Sequence, residues 1–274
     1  MDEAITNIIG RFATPAINNG DYINDEGLTV CGKCGETKQF YGEFLGETLK
    51  LNCPCKCDRE REEQRKEQQR RERIAYNRKE AFPPNSNYID ARFEYADESA
   101  AISAAEKYVE HFETDFMPDG TGILFHGTFG TGKTYAAACV CNAIIDMGYK
   151  AVFTTMPRII NRLQSTFDGR QEYIDYISNV PLLVIDDLNA ERNTEFARET
   201  VFEVINGRSE AKKPLIVTTN ITIDALKGKG ADMTTARVYS RLLEMCVPVE
   251  VAGEYRRRGN CRVNYEEAKS LLNI

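Results

Sequence analysis

Four short apolar runs punctuate the chain beyond residue 120: "GILFH" from Gly122, "AVFTTM" from Ala151, "PLLVIDD" from Pro181 and "PLIVTTN" from Pro214. Each is followed by helical sequence, so each reads as a buried strand feeding a helix. Strands apolar on both faces that alternate with helices imply a parallel sheet covered on both sides. Ahead of them, "ESAAISAAEKYVEHFE" places Ile102, Ala105, Val109 and Phe112 on one helical stripe.

The pattern upstream is different. Residues 58–80 hold almost no apolar positions; nine Lys or Arg alternate with seven Asp or Glu. Such a run reads as a solvated helical connector held by i,i+4 pairs. Because Arg70, Arg71, Arg73, Arg78 and Lys79 crowd its end, a nucleic-acid contact is the second reading. "FPPNSN" at 82–87 stops the helix. Near the start, "DEAITNIIGRF" sets Ile5, Ile8, Ile9 and Phe12 at helical spacing, a face that either packs on its own neighbours or docks a partner. The expected division is a cysteine-rich module over 1–57, a charged helical linker over 58–84 and an α/β domain over 85–274.

Composition narrows the classes. No apolar run in the 274 residues nears the length of a membrane span. Asp2, Glu3, Asp21, Asp25 and Glu26 leave the first thirty residues without the apolar core of a secretory signal, so the expected place is the cytoplasm. A net charge of −7 is unlike that of proteins that coat duplex DNA, so any nucleic-acid contact is local, in a groove or ring lining. Five of the nine cysteines fall between Cys31 and Cys57. In a chain expected to be cytoplasmic they argue for metal rather than disulfides. Cys139, Cys141, Cys246 and Cys261 read as small buried hydrophobes.

The turn after the first strand carries the chemistry. Gly127, Thr128, Gly130, Thr131, Gly132, Lys133 and Thr134 fit G-x-x-x-x-G-K-[ST], with a strand before and a helix after. The glycines let backbone N–H groups curl inward, and the helix presents its positive end to the same place. Lys133 is expected between the β- and γ-phosphates and Thr134 on Mg²⁺, with Tyr135 the next contact on the helix. "PLLVIDD" ends in Asp186, expected to hold Mg²⁺ with Thr134, and Asp187, placed to orient an attacking water. "KPLIVTTN" ends in Asn220, a neutral tip for the water or the γ-phosphate. Arg237 and Arg241 share a helix face, and Arg256, Arg257 and Arg258 follow in "GEYRRRGN". An arginine reaching a neighbouring subunit's γ-phosphate accelerates hydrolysis by roughly 10³–10⁵-fold in other NTPases.

With these residues in place the chain resembles an AAA+ ATPase and, more narrowly, the bacterial and phage DnaC/DnaI-type helicase loaders. The resemblance covers about residues 85–260 and rests on "LLVIDDLNAERNTEFARETVFEVINGR", "KPLIVTTN", the spacing to "ARVYSRL" and "EYRRR", and the leading block "NYIDARFEYAD". It implies a parallel sheet flanked by helices, with Asn220 as sensor I, Arg241 as the arginine finger and Arg256 as sensor II. It also implies an ATP-dependent ring or spiral that binds a hexameric replicative DNA helicase through its N-terminal module and places it on single-stranded DNA. Two departures stand out. The acid strand ends Asp-Asp where many AAA+ proteins have Asp-Glu, which implies help from Glu191 or slow hydrolysis. Only 18 residues follow Arg256, which implies a reduced lid. The rival readings are an IstB-type transposition helper, which shares every ATPase residue but acts on duplex DNA; a nucleotide-sensing DNA-binding adaptor with little hydrolysis; and a small-molecule P-loop kinase, which leaves the cysteine module without a use.

That module reads Cys31-x₂-Cys34, then Cys53-x-Cys55-x-Cys57. Four thiolates close a structural Zn²⁺ site, and five candidates compete for four places. The family's Cys-x-Cys ending implies Cys31, Cys34, Cys55 and Cys57, with Cys53 in place of Cys55 the alternative.

Overall fold

The computed structural model describes residues 20–44, 46–165, 168–188, 194–226, 233–253 and 265–272. Contacts divide it into two compact units, Met1–Glu72 and Arg73–Ile274, and the division falls inside the long helix α1 (Lys56–Ala81).

The first unit is built from two small antiparallel ribbons. One pairs β1 (Tyr22–Ile23) with β2 (Thr29–Val30); the other pairs β3 (Gln39–Phe44) with β4 (Glu47–Asn52). So little sheet buries little apolar surface, and a unit this small needs another source of stability. An ion triad joins its ribbons to the start of α1: Lys38 Nζ, buried, lies 3.0 Å from the buried Asp21 and 3.3 Å from the partly exposed Asp58. Burial pulls the Lys38 ammonium down, and the hydrogen bonds and charges of the two carboxylates more than reverse it. Along α1 the charges pair as the sequence suggests, Arg65 on Glu62 at 2.8 Å and Arg71 on Glu67 at 2.9 Å. Both pairs are exposed, so water and salt screen them and they contribute little to stability.

The second unit is an α/β domain. Its parallel sheet has the order β6-β7-β8-β5-β9, from Ala151–Thr154, Leu182–Leu188, Leu215–Thr219, Gly122–His126 and Cys246–Glu250. Four of these strands are the expected apolar runs. Their residues alternate between the two faces, as a doubly covered sheet requires. Ile123, Phe125, Leu182, Val184 and Ile216 face one cluster with α2 (Ala100–Glu110) and α3 (Lys133–Asp146). Leu124, Leu183, Ile185, Leu215 and Val217 face the other with α4 (Met156–Ser165), α5 (Arg170–Asn179), α6 (Glu195–Glu210) and α7 (Met233–Met245). A last helix, α8 (Tyr265–Leu272), follows. The expected stripe on α2 buries Ile102 and Ala105, with Phe112 buried just beyond its end. Cys139, Cys141 and Cys246 are buried, and burial pushes Cys139 and Cys246 up to about 12. Cys261 and the stretch from Ile5 to Phe12, expected to be helical, lie outside the described residues. Among the described residues no helix is long and apolar enough to cross a membrane.

Strand order positions the site. β8 lies between the glycine-loop strand β5 and the acid strand β7, so the tip of β8 stands between loop and acids.

One polar residue holds the α5 end of this unit together. Arg208 is fully buried, and its guanidinium donates to the carbonyls of Ile177 and Ser178 at 3.2 Å, and also to those of Val180 and Pro214. The first three lie at the C-terminal end of α5, where unsatisfied carbonyls attract a cation. Burial pulls the guanidinium down, to about 9. An Arg208→Met substitution keeps the stem and strands the carbonyls, and is expected to cost about 2–4 kcal/mol. The urea midpoint of the chain measures this, and Arg208→Lys, with fewer donors in a different geometry, should fall between.

Candidate functional site

The turn between β5 and α3 is built so that backbone forms its wall. Gly127 has φ 139°, and a Cβ there would stand 2.5 Å from the Val251 carbonyl oxygen. Gly132, at φ 103°, caps α3, so the helix starts at Lys133 with its free N–H groups facing the turn. Lys133 is 7% exposed, and its Nζ donates to the carbonyls of Gly127 at 3.0 Å and Thr128 at 2.6 Å. The Thr131 hydroxyl donates to the Thr128 carbonyl at 3.0 Å and tightens the curl.

The acids come next. Asp186 and Asp187 end β7 where its pairing with β8 slips between Ile185 and Leu188. Asp187 sits at φ 54°, a left-handed conformation that a non-glycine residue adopts only when its surroundings enforce it. Asn220 Nδ2 donates to Asp187 Oδ1 at 2.8 Å. Burial pushes the Asp186 carboxyl up, hydrogen bonds from Thr218 and Thr134 pull it back, Asp187 pushes it up again and Lys133 lowers it.

These groups line one cavity of about 750 Å³, within the range of small-molecule sites. Gly130 to Tyr135 and the tips of β7 and β8 make one part of its lining; Asn87, Tyr88, Tyr95, Asp97 and Ser99 make another. The leading segment is tied to α3 by Asn142, fully buried within the apolar run from Ala136 to Ile145. Its amide donates to the carbonyls of Tyr88 at 3.0 Å and of Ala91 and Ala138 at 3.1 Å. The Tyr135 hydroxyl adds a bond to the Arg92 carbonyl at 3.1 Å. Sequence reasoning overlooked Asn142 and Thr218. For Asn142 the available signal was a lone amide inside the apolar run from Ala136 to Ile145; Thr218, next to Thr219 and Asn220, carried no such mark.

Of the expected site residues, the structure brings Gly130, Thr131, Gly132, Lys133, Thr134, Tyr135, Asp186, Asp187 and Asn220 to this cavity. Gly127 and Thr128 begin the same turn. Arg241 stands outside the lining, on α7, with Nη1 2.8 Å from Glu244. Arg237 is exposed beside Met233, at 3.8 Å from its sulfur. Arg256, Arg257, Arg258 and Glu191 lie outside the described residues.

In the first unit the thiols of Cys31, Cys34, Cys55 and Cys57 all lie within 4.8 Å of one another. A tetrahedral site with bonds of about 2.3 Å has sulfurs about 3.8 Å apart, so the donor set fits a thiolate metal. Cys53 stands apart, its thiol 3.5 Å from the Thr37 carbonyl. Backbone N–H groups of Glu36 and Cys57 help hold the Cys34 thiol down to about 6, while burial pushes Cys55 up to about 12.

The chain has relatives among known proteins. It is 27% identical over 161 residues to the replicative helicase loader DnaI of Bacillus subtilis (strain 168), a match covering 53% of this chain and 52% of that one. It is also 27% identical over 146 residues to the replicative helicase loader DnaC of Escherichia coli (strain K12), covering 52% and 58%. The chain thus spans little more than half the length of these curated relatives. A crystal structure of the DnaC helicase loader matches 61% of this chain and 99% of its own, at 26% identity and a TM-score of 0.54. Residues 58–263 match the family described as "IstB-like ATP binding protein". That span takes in the glycine turn, both acids and the polar tip of β8, and the chain belongs to this ATP-binding family.

Proposed function

We propose that this protein is an ATP-hydrolysing loader that binds a hexameric replicative helicase and sets it on single-stranded DNA in the cytoplasm. The observation that carries the reading is the convergence of the glycine turn, Asp186, Asp187 and Asn220 on one cavity, in a chain whose relatives are named for helicase loading.

The residues divide the work as follows. The turn's N–H groups and the Lys133 ammonium bind the phosphates. Thr134 and Asp186 would hold Mg²⁺, which when bound would supply positive charge to the phosphate oxygens. Asp187 orients a water towards the γ-phosphorus and takes its proton as the bond to the β-phosphate oxygen breaks. Asn220, bonded to that carboxylate, sets its direction. Arg241, paired among the described residues with the surface residue Glu244, completes the site of an adjoining copy in a ring or spiral. Its exposure makes that exchange inexpensive. Zinc on Cys31, Cys34, Cys55 and Cys57 gives the N-terminal module the stability its two ribbons lack and so shapes the surface offered to the helicase.

A transposition helper of the IstB type is the second reading, favoured by the family's own description. One experiment separates them. Mixed with ATP and a bacterial or phage replicative helicase, the full chain is expected to elute as a stoichiometric complex. Absence of a complex, together with tight binding to duplex DNA, would favour the transposition role.

A further inference from the structure

We infer that Thr218 is a positioning residue for magnesium: its hydroxyl holds the Asp186 carboxylate and the Asp187 backbone together, so that metal ligand and water-orienting acid keep a fixed relation. This rests on reading the cavity as a magnesium–ATP site.

A threonine hydroxyl has one proton to give and two lone pairs to receive. The Thr218 Oγ1 donates to Asp186 Oδ1 at 2.7 Å and accepts the Asp187 N–H at 2.8 Å. A single oxygen therefore spans two consecutive acids from the neighbouring strand. It is 1% exposed, so water does not compete for either bond.

The backbone explains why a side chain is needed there. Ile185 pairs with Val217 and Leu188 with Thr219, so β7 carries one more residue across this stretch than β8 does. A bulge of this kind leaves an N–H without a ladder partner. The Asp187 N–H takes the Thr218 hydroxyl instead, and the left-handed φ of 54° at Asp187 follows from that detour. Thr219 shows the ordinary behaviour of a buried strand hydroxyl, donating to the Leu188 carbonyl at 3.0 Å. Thr218 differs because its proton goes to a carboxylate. A metal ligand held by a second group is preorganised for the ion, and loss of such a group typically costs 10–100-fold in metal affinity or activity.

The test uses the full chain and a fluorescent ATP analogue, titrated in EDTA and then against magnesium. Thr218→Val and Thr218→Ala are expected to keep the metal-free nucleotide affinity and to need about 10–100-fold more magnesium for half-maximal binding. Thr218→Ser, which restores the hydroxyl, should return to the wild-type requirement. Thr219→Val, a control for loss of a buried hydroxyl, should lower the melting temperature without moving the magnesium midpoint. An unchanged midpoint in both Thr218→Val and Thr218→Ala overturns the inference, as does a Thr218→Ser protein as impaired as Thr218→Val. A wild-type chain whose nucleotide affinity ignores magnesium would instead overturn the reading of the cavity itself.

Discussion

Replacing Lys133 by Ala is expected to lower ATP turnover by on the order of 10²–10³-fold, the usual loss when one preorganised donor to a developing charge is removed. Two effects add here. On the proposed reading the ammonium supplies charge to the phosphates, and in the structure it ties the turn by bonding the Gly127 and Thr128 carbonyls. Because the side chain is buried, truncation also leaves both carbonyls short of a donor, each costing about 1–3 kcal/mol. Lys133→Arg should not rescue, since a rigid fork cannot repeat the contacts of a compact ammonium in so closed a turn. Release of inorganic phosphate and titration with a fluorescent ATP analogue measure the two losses separately. Unaltered nucleotide affinity in Lys133→Ala would remove the turn from the ATP site.

The other large effect is expected from the cysteine cluster. Purified without chelator, the full chain should carry one zinc, measured by elemental analysis. Cys55→Ser should lose it, while Cys53→Ser should retain it, because Cys53 stands outside the four clustered thiols. Structural zinc contributes about 10–16 kcal/mol of apparent folding free energy to small modules. The two ribbons of the first unit cannot make up such a loss, so Cys55→Ser should become protease-sensitive within the first 72 residues. The metal should also leave as pH falls, since each ligand binds as a thiolate and protons compete for it. A metal-loaded Cys55→Ser protein alongside a metal-free Cys53→Ser would reverse the assignment.

Much of the ATP-binding unit was legible because burial leaves a plain mark on sequence. A strand covered on both faces is apolar along its covered length, so β5 to β8 appeared as apolar runs, with β7 and β8 turning polar only at Asp186, Asp187, Thr218 and Thr219 beside the cavity. β9 did not: "CVPVE" carries a proline, and Val247 is 50% exposed, because an edge strand buries less and tolerates a missing donor. The glycine turn was legible for a related reason, since a backbone that wraps phosphate excludes side chains, and only glycine meets that demand cheaply. The polar groups were harder to read. Arg208 follows Val201, Val204 and Ile205 on the buried stripe of α6, and that placement was the only clue that its guanidinium points inward. Asn142 and Thr218 matter through partners far away in sequence, Tyr88 and Asp186, and no local periodicity encodes such pairings. The left-handed turn at Asp187 arises from a slip between two strands, which exists only once they are paired.

The proline in β9 has a consequence for how copies of this chain can join. Among the described residues β9 pairs only with β5, so it forms one rim of the sheet, and Pro248 removes an amide from it. The missing donor weakens any strand that would continue the sheet there by main-chain pairing. A rim blunted in this way resists the edge-to-edge stacking by which exposed strands seed fibrils.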